Sequence, residues 1–496
     1  MVYYVLKRLA SHVEQAVNVK LKLPNCNSVV RLYPMGNIVE LLKLNDKEYL
    51  VYFPDTYTFF KINKLGYDIF TSLINEDTNL ETRFYRTDIK RCSHIIQKNT
   101  IPLHNKHTDF SANKLNRLTL NISGGCNLRC QYCYAHAGDY KTTGTNMSPE
   151  VADKALFAFL NHFEQIESIM FFGGEPFLNY PLIEYICKKT KELTQNGKDK
   201  PLPRFSVITN GTIYNEEISK LLKKHNIAVT ISYDGDREVN NKLRISQNGK
   251  GMSDEVIKNI KKLIAETGII PGIEATYTRL HVEQGISPLQ VVKNIKAISD
   301  KLQVHLVPVM AASSCAYALA DYSPFVNSVP DFFNNVKSLT DCKQNPPVYS
   351  LLGRLLFPLI FKNKTPVQHM CNAGFGTLSV ASNGDIYPCF MFIDTTEFCM
   401  GNVNDRDICF TESFNKTRNT LLAFSDKQNN PECKKCFASS VCSACLGYLL
   451  NDKQEFELDS KACTMTRDML KETIIGLNDL LHRNKQIKYC KGGGNV

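Results

Sequence analysis

The sequence predicts an α/β fold built on a partial (β/α)6 barrel, with a small α+β domain before it and a cysteine-rich domain after it. Three observations carry this. Between Arg117 and Val309, six short β-rich runs alternate with amphipathic runs of helical length. The polar motifs of that region fall at the carboxyl ends of the β-rich runs, where the sites of such folds lie. Cysteines concentrate in one group inside this region and in a second beyond it.

The elements follow in order. Residues 1–110 read as the first unit, with strands from alternation over 48–53 and 57–62 and a helix over 67–73. The polar stretch 97–114 reads as a linker. Residues 111–310 hold the barrel, with strands expected at 118–123, 168–172, 205–209, 227–233, 272–277 and 304–309. Helical patterns lie between them, over 148–165, where Ser148 can cap, and over 254–267. Six βα units imply a parallel sheet with right-handed crossovers. Six short twisted strands would curl into an open barrel. Residues 311–365 read as a helical bridge, 366–470 as the cysteine-rich domain, and 471–496 as a C-terminal helix and tail.

Composition excludes several classes. The chain has 496 residues, 43% hydrophobic and 22% charged, which is globular rather than disordered or fibrous. No apolar run reaches the roughly 18 residues needed to span a bilayer; the nearest, 349–361, is broken by Arg354. The first residues lack the apolar core and cleavage site of a signal peptide, so a cytoplasmic protein with no membrane partner is expected. The net charge of +10 comes from scattered residues with no basic run, which argues against nucleic acid and is compatible with an anionic peptide segment.

The 18 cysteines are the anomaly. A reducing compartment keeps thiols free, so clustered ones there bind metal more often than they form bridges. The first group, Cys126, Cys130 and Cys133, has the spacing C-x3-C-x2-C in one loop after the first barrel strand. Three thiolates this close can cap three corners of a [4Fe–4S] cubane and leave one iron open for a substrate or cofactor. Structural zinc is the competing reading, but it wants four ligands and the loop adds only His136.

This loop, with the aromatic Tyr134 directly after it, resembles the signature of the radical S-adenosylmethionine (SAM) superfamily. The resemblance extends over all six strands. It implies that Gly173, Gly174 and Glu175 hold the methionine amino group, with Glu175 facing the ammonium. It implies that Thr209 and Asn210 close strand three at the cofactor, and that Ser232 and Asp234 serve the ribose or polar end. Arg244 would pair with the methionine carboxylate through its planar fork. Glu274 and Thr276 lie on a strand that would be either cofactor-side or core. The implied chemistry is one-electron cleavage of SAM to a 5′-deoxyadenosyl radical that abstracts hydrogen from an unactivated carbon. No catalytic acid or base is assigned.

The second group runs Cys371-x17-Cys389, then Cys433-x2-Cys436-x5-Cys442-x2-Cys445, then x17-Cys463. It resembles the SPASM domain, which holds two auxiliary [4Fe–4S] clusters in peptide-modifying radical SAM enzymes. With the cluster of the barrel, that makes three. The resemblance places Cys433, Cys436, Cys442 and Cys463 on an outer cluster and Cys371, Cys389 and Cys445 on an inner one. Two residues separate Cys442 from Cys445 where three are usual. The cysteine that many relatives carry shortly after Cys371 is absent, so the inner cluster has three ligands unless Cys399 or Cys409 fills the site. An open iron there could bind and activate a substrate thiolate.

Residues 30–110 resemble, by pattern alone, the small PqqD-like leader-recognition element fused to such enzymes; a structural cap is the alternative. A domain of that kind offers an edge strand to an extended leader peptide. The resulting expectation is a peptide maturase that forms thioethers, as in sactipeptide and ranthipeptide maturases. Its partners would be a precursor peptide with a leader and a flavodoxin- or ferredoxin-type reductant. The alternatives are formylglycine formation, as in anaerobic sulfatase maturases, carbon–carbon cross-linking, and a plain iron–sulfur electron carrier that does not bind SAM.

Overall fold

The computed structural model describes residues 39–100, 113–136, 140, 145–195, 200–311, 314–339, 341, 349–362, 367–405, 412–451 and 454–491. The chain begins with a three-stranded antiparallel sheet of β1 (Glu40–Lys43), β2 (Glu48–Phe53) and β3 (Thr58–Asn63), in that order. β2 is apolar from Tyr49 to Phe53, and both of its faces are buried over that stretch. Val51 and Phe53 pack with Ile69, Phe70 and Leu73 of the helix Lys64–Ile74 and with Ile89 and Ile96 of Arg86–Asn99. Leu50 and Tyr52 face the other way and join the main core. Asn63 starts the first helix by accepting from Gly66 N. Tyr57 ties the unit to the cysteine-rich region, its hydroxyl donating to Ser440 O at 3.2 Å.

A short parallel pair, β4 (Lys114–Leu115) with β6 (Gln165–Ile166), stands at the entrance to the barrel. The barrel strands are β5 (Arg117–Ser123), β7 (Ser168–Gly173), β8 (Arg204–Thr209), β9 (Ala228–Ser232), β10 (Gly272–Tyr277) and β11 (Gln303–Pro308). All six are parallel and adjacent in chain order, as the alternating pattern requires. The helices Pro149–His162, Tyr180–Gln195, Glu216–His225, Ser253–Thr267 and Pro288–Lys296 connect them. Alternation separates two faces on β5. Leu118, Leu120 and Ile122 enter the main core, while Thr119, Asn121 and Ser123 point to the opposite face.

The sheet does not stop at six strands. β12 (Thr377–Val380) lies parallel on the free side of β5, and β13 (Ile386–Tyr387) pairs antiparallel with β12. Leu378 and Val380 share the core with Leu118 and Leu120. The cysteine-rich region is therefore anchored on the barrel's own sheet. Behind it the helices Ser323–Asn335 and Ser350–Phe361 pack on the long C-terminal helix Ser460–Lys491. Among the described residues no helix is long and apolar enough to cross a membrane.

Candidate functional site

The first cysteine loop is held from two sides. From below, β7 ends in Gly173 and Gly174. Gly173 has φ +136°, a conformation that favours glycine. A Cβ on Gly174 would run into the backbone of Gly125. Gly174 N donates to Ser123 O at 2.8 Å, and Glu175 N donates to Gly125 O at 2.9 Å. The two glycines thus let one backbone lie on another. From above, Arg129 N and Gln131 N donate to Ile245 O and Leu243 O at 2.7 and 2.9 Å, and Gln247 Nε2 donates to Cys126 O at 3.1 Å.

Glu175 is fully buried. Its carboxylate accepts from Thr209 Oγ1 and Asn210 N, both at 2.7 Å, and from Phe177 N at 3.0 Å. Burial pushes its carboxyl up to about 7 against these bonds, which favour the charged form. The carboxylate faces the end of β8, so in this structure it fastens β7 to β8. Asn210 carries the fastening on to the cysteines, with Nδ2 at 3.6 Å from Cys126 Sγ and 2.8 Å from Asn127 Oδ1.

At the end of β9, Asp234 and Arg244 form a buried bidentate pair, Nε and Nη2 each 3.2 Å from a carboxylate oxygen. Tyr132, from the cysteine loop, donates its hydroxyl to Asp234 at 2.6 Å, and its ring lies 5.3 Å from the Arg244 guanidinium. Thr276 N donates to Asp234 at 3.1 Å. Arg244 is within electrostatic reach of Cys130, whose thiol burial pushes up to about 12. The fork expected to meet a carboxylate is thus shared with Asp234. Ser232 stands half-buried beside it, opposite Glu274 of β10. Tyr134 is 40% exposed, with its ring 6.2 Å from Tyr140 and 6.5 Å from Phe390.

The C-terminal cysteines divide into two groups. Cys371, Cys389 and Cys445 act electrostatically on one another. Phe390, next to Cys389, packs its ring at a tilt 4.6 Å from that of Phe172 at the end of β7, and Cys133 joins the same apolar cluster, so this group packs against the first loop. Tyr448 is within electrostatic reach of Cys445, of Tyr134 and of Glu274. Cys433, Cys436, Cys442 and Cys463 form the other group. Burial pushes the thiols of Cys433 and Cys463 up to about 11. Cys399 packs on the same apolar cluster as Cys371 and Cys389, but its thiol is engaged elsewhere. It donates to Gly401 O at 3.6 Å, and the charges acting on it are Asp385 and Asp405. Cys409 lies outside the described residues.

The donor sets fit iron–sulfur clusters. They are thiols alone, in groups of three, three and four. Among the described residues no three His, Cys, Asp or Glu side chains meet closely enough to hold a single ion. A cubane takes its thiolates at separate iron corners, further apart than one ion does. Beside the four-thiol group lie three cations, Lys427, Arg354 and Arg467, and the first two have no carboxylate partner among the described residues. A buried cation needs a negative neighbour, and a thiolate-ligated cluster is one. Sequence reasoning missed Tyr132, Asn127 and Lys427; the first two are spacer residues of the C-x3-C-x2-C motif, whose ligand spacing says nothing of their roles, and Lys427 lies in no motif.

The comparisons agree with this geometry. Residues 120–278 match the radical SAM superfamily and residues 371–437 the SPASM iron–sulfur cluster-binding domain. The cysteine-type anaerobic sulfatase-maturating enzyme of Clostridium novyi (strain NT) is 28% identical over 351 residues, covering 66% of this chain and 86% of that protein. The antilisterial bacteriocin subtilosin biosynthesis protein AlbA of Bacillus subtilis (strain 168) is 26% identical over 382 residues, covering 69% and 73%. The solved structure of native anSMEcpe with bound AdoMet and Kp18Cys peptide superposes with a TM-score of 0.60 at 22% identity, over 74% of this chain and 99% of that one. The chain thus joins a radical SAM core to a SPASM domain on one sheet. It is a radical SAM/SPASM enzyme, with SAM and [4Fe–4S] clusters as its cofactors.

Proposed function

We propose that this enzyme matures a ribosomally synthesised precursor peptide by joining a cysteine sulfur to a carbon of the same peptide. The observation that carries the reading is the three-thiol group of Cys371, Cys389 and Cys445, packed against the loop of Cys126, Cys130 and Cys133. Bound there, SAM and its cluster supply a hydrogen-abstracting radical. The chain's own residues do the positioning. Gly173, Gly174 and Glu175 fix the cysteine loop and the end of β8. Asp234, Arg244 and Tyr132 form a rigid polar wall beside Cys130. Thr209, Asn210, Ser232 and Tyr134 complete the cofactor side.

Tyr448 is within electrostatic reach of Cys445 and of Glu274 on β10, which supports a substrate space between the three-thiol group and the barrel. That space would hold the reacting part of the peptide. Among the described residues β3 pairs with β2 alone, which leaves its other edge for an extended leader. A flavodoxin- or ferredoxin-type protein would supply electrons.

Formylglycine formation is the second reading. It is favoured by the likeness to the Clostridium novyi sulfatase-maturating enzyme. One experiment separates the two: anaerobic incubation of reconstituted enzyme with SAM, reductant and a cysteine-bearing precursor or a sulfatase peptide. The thioether reading expects a precursor product lighter by two hydrogen atoms per link, its cysteine closed to alkylation. Conversion of the sulfatase peptide to an aldehyde, with the precursor untouched, would replace it by the second reading.

A further inference from the structure

The helix Glu412–Ser425 ends just before a lysine in an unusual setting. Lys427 is 2% exposed. Its ammonium donates to three carbonyls, Val367 O at 2.7 Å, Ser439 O at 2.6 Å and Cys442 O at 2.7 Å. An ammonium has three N–H bonds and no acceptor, so this cage uses all of it and fixes its place. Two of the three acceptors belong to the segment that carries the outer thiols. The charge lies within electrostatic reach of Cys442, Cys433 and Cys436.

Arg354, on the helix Ser350–Phe361, adds a second positive charge within reach of Cys442 and of Lys427. Its Nε is buried without a hydrogen-bond partner. No carboxylate among the described residues pairs with either group. The other two thiol groups are set differently. The positive charge acting on Cys389 is Arg117, whose Nε is likewise buried without a hydrogen-bond partner, and no lysine among the described residues stands beside it. Beside Cys130, the charge of Arg244 is offset by Asp234.

A fixed, uncompensated positive charge in a low-dielectric site favours whichever redox state of its neighbour is more negative. Adding one electron to a cluster makes it more negative without forming or breaking a bond. We propose that Lys427, with Arg354 beside it, is a positioning residue that raises the reduction potential of the outer, four-thiol cluster. The proposal rests on the SPASM reading of Cys433, Cys436, Cys442 and Cys463 and is independent of which peptide is modified.

The test is an EPR-monitored redox titration of the full chain in a Cys130→Ala, Cys389→Ala background, where the outer cluster is the one loaded. Lys427→Met should lower its potential by an amount equal to at least a tenfold change in the reduction equilibrium, about 59 mV for one electron. Lys427→Arg should restore most of it. Lys427→Met with full iron content and an unchanged potential would overturn the proposal. Should that variant lose iron, Arg354→Gln decides: a smaller downward shift supports the proposal, and no shift overturns it. An iron-free background protein would instead remove the SPASM reading beneath it.

Discussion

The two C-terminal thiol groups share one region and differ in every physical respect that matters. Cys433, Cys436, Cys442 and Cys463 can saturate a cubane, and Lys427, Arg354 and Arg467 stand beside them. Cys371, Cys389 and Cys445 leave one corner unclaimed by the described thiols, and they pack on the loop of Cys126, Cys130 and Cys133 through Phe390 and Phe172. A saturated centre can pass electrons and little else. An unsaturated one can bind a substrate sulfur and lower its pKa by direct charge. The difference teaches that surroundings and thiol count go together: the group of three is the one joined to the first cysteine loop through Phe390 and Phe172.

Four substitutions probe this contrast, the largest effect first. Cys130→Ala should abolish deoxyadenosine release and every peptide product, read by chromatography; surviving SAM cleavage would remove the first cluster from the account. Cys389→Ala should spare SAM cleavage and stop cross-linking, and a cross-linked product from that variant would show that the three-thiol group is not the thiol site. Asp234→Asn strands the buried Arg244 guanidinium. It should cost about 3–5 kcal/mol in chemical denaturation, with SAM affinity falling alongside; a change below about 1 kcal/mol would mean the pair is not the rigid wall described. Gly174→Ala forces a methyl group against the Gly125 backbone. It should cost about 1–3 kcal/mol and loosen iron at the first loop while leaving the C-terminal iron in place. Equal iron loss from both regions would contradict the separate anchoring of the two.

Much of the fold was legible. The six barrel strands could be read because each is a short β-rich run with a helix-length pattern after it. The cysteine spacings could be read because cluster ligation fixes them. β12 could not: four residues, Thr377–Val380, carry too little pattern, and their partner β5 lies far away in sequence. The reason for Gly174 was also hidden, because the backbone that approaches it is that of Gly125. Glu175 could be recognised in its motif, but only the structure turns its carboxylate onto Thr209 and Asn210. Lys427 and Tyr132 were illegible for a simpler reason. A lone lysine is usually solvated, and nothing local marks Lys427; Tyr132 does sit between Cys130 and Cys133, but its partners Asp234 and Arg244 lie far away in sequence.

The claim at the centre of the account is that the three-thiol group keeps a position open for a substrate thiol. It can be measured in a Cys130→Ala, Cys433→Ala background, with the EPR spectrum of the remaining reduced centre recorded before and after adding a cysteine-bearing precursor peptide. The spectrum should change with that peptide and stay constant with its Cys→Ser counterpart. Identical spectra in all three samples, at full iron occupancy, would contradict the claim.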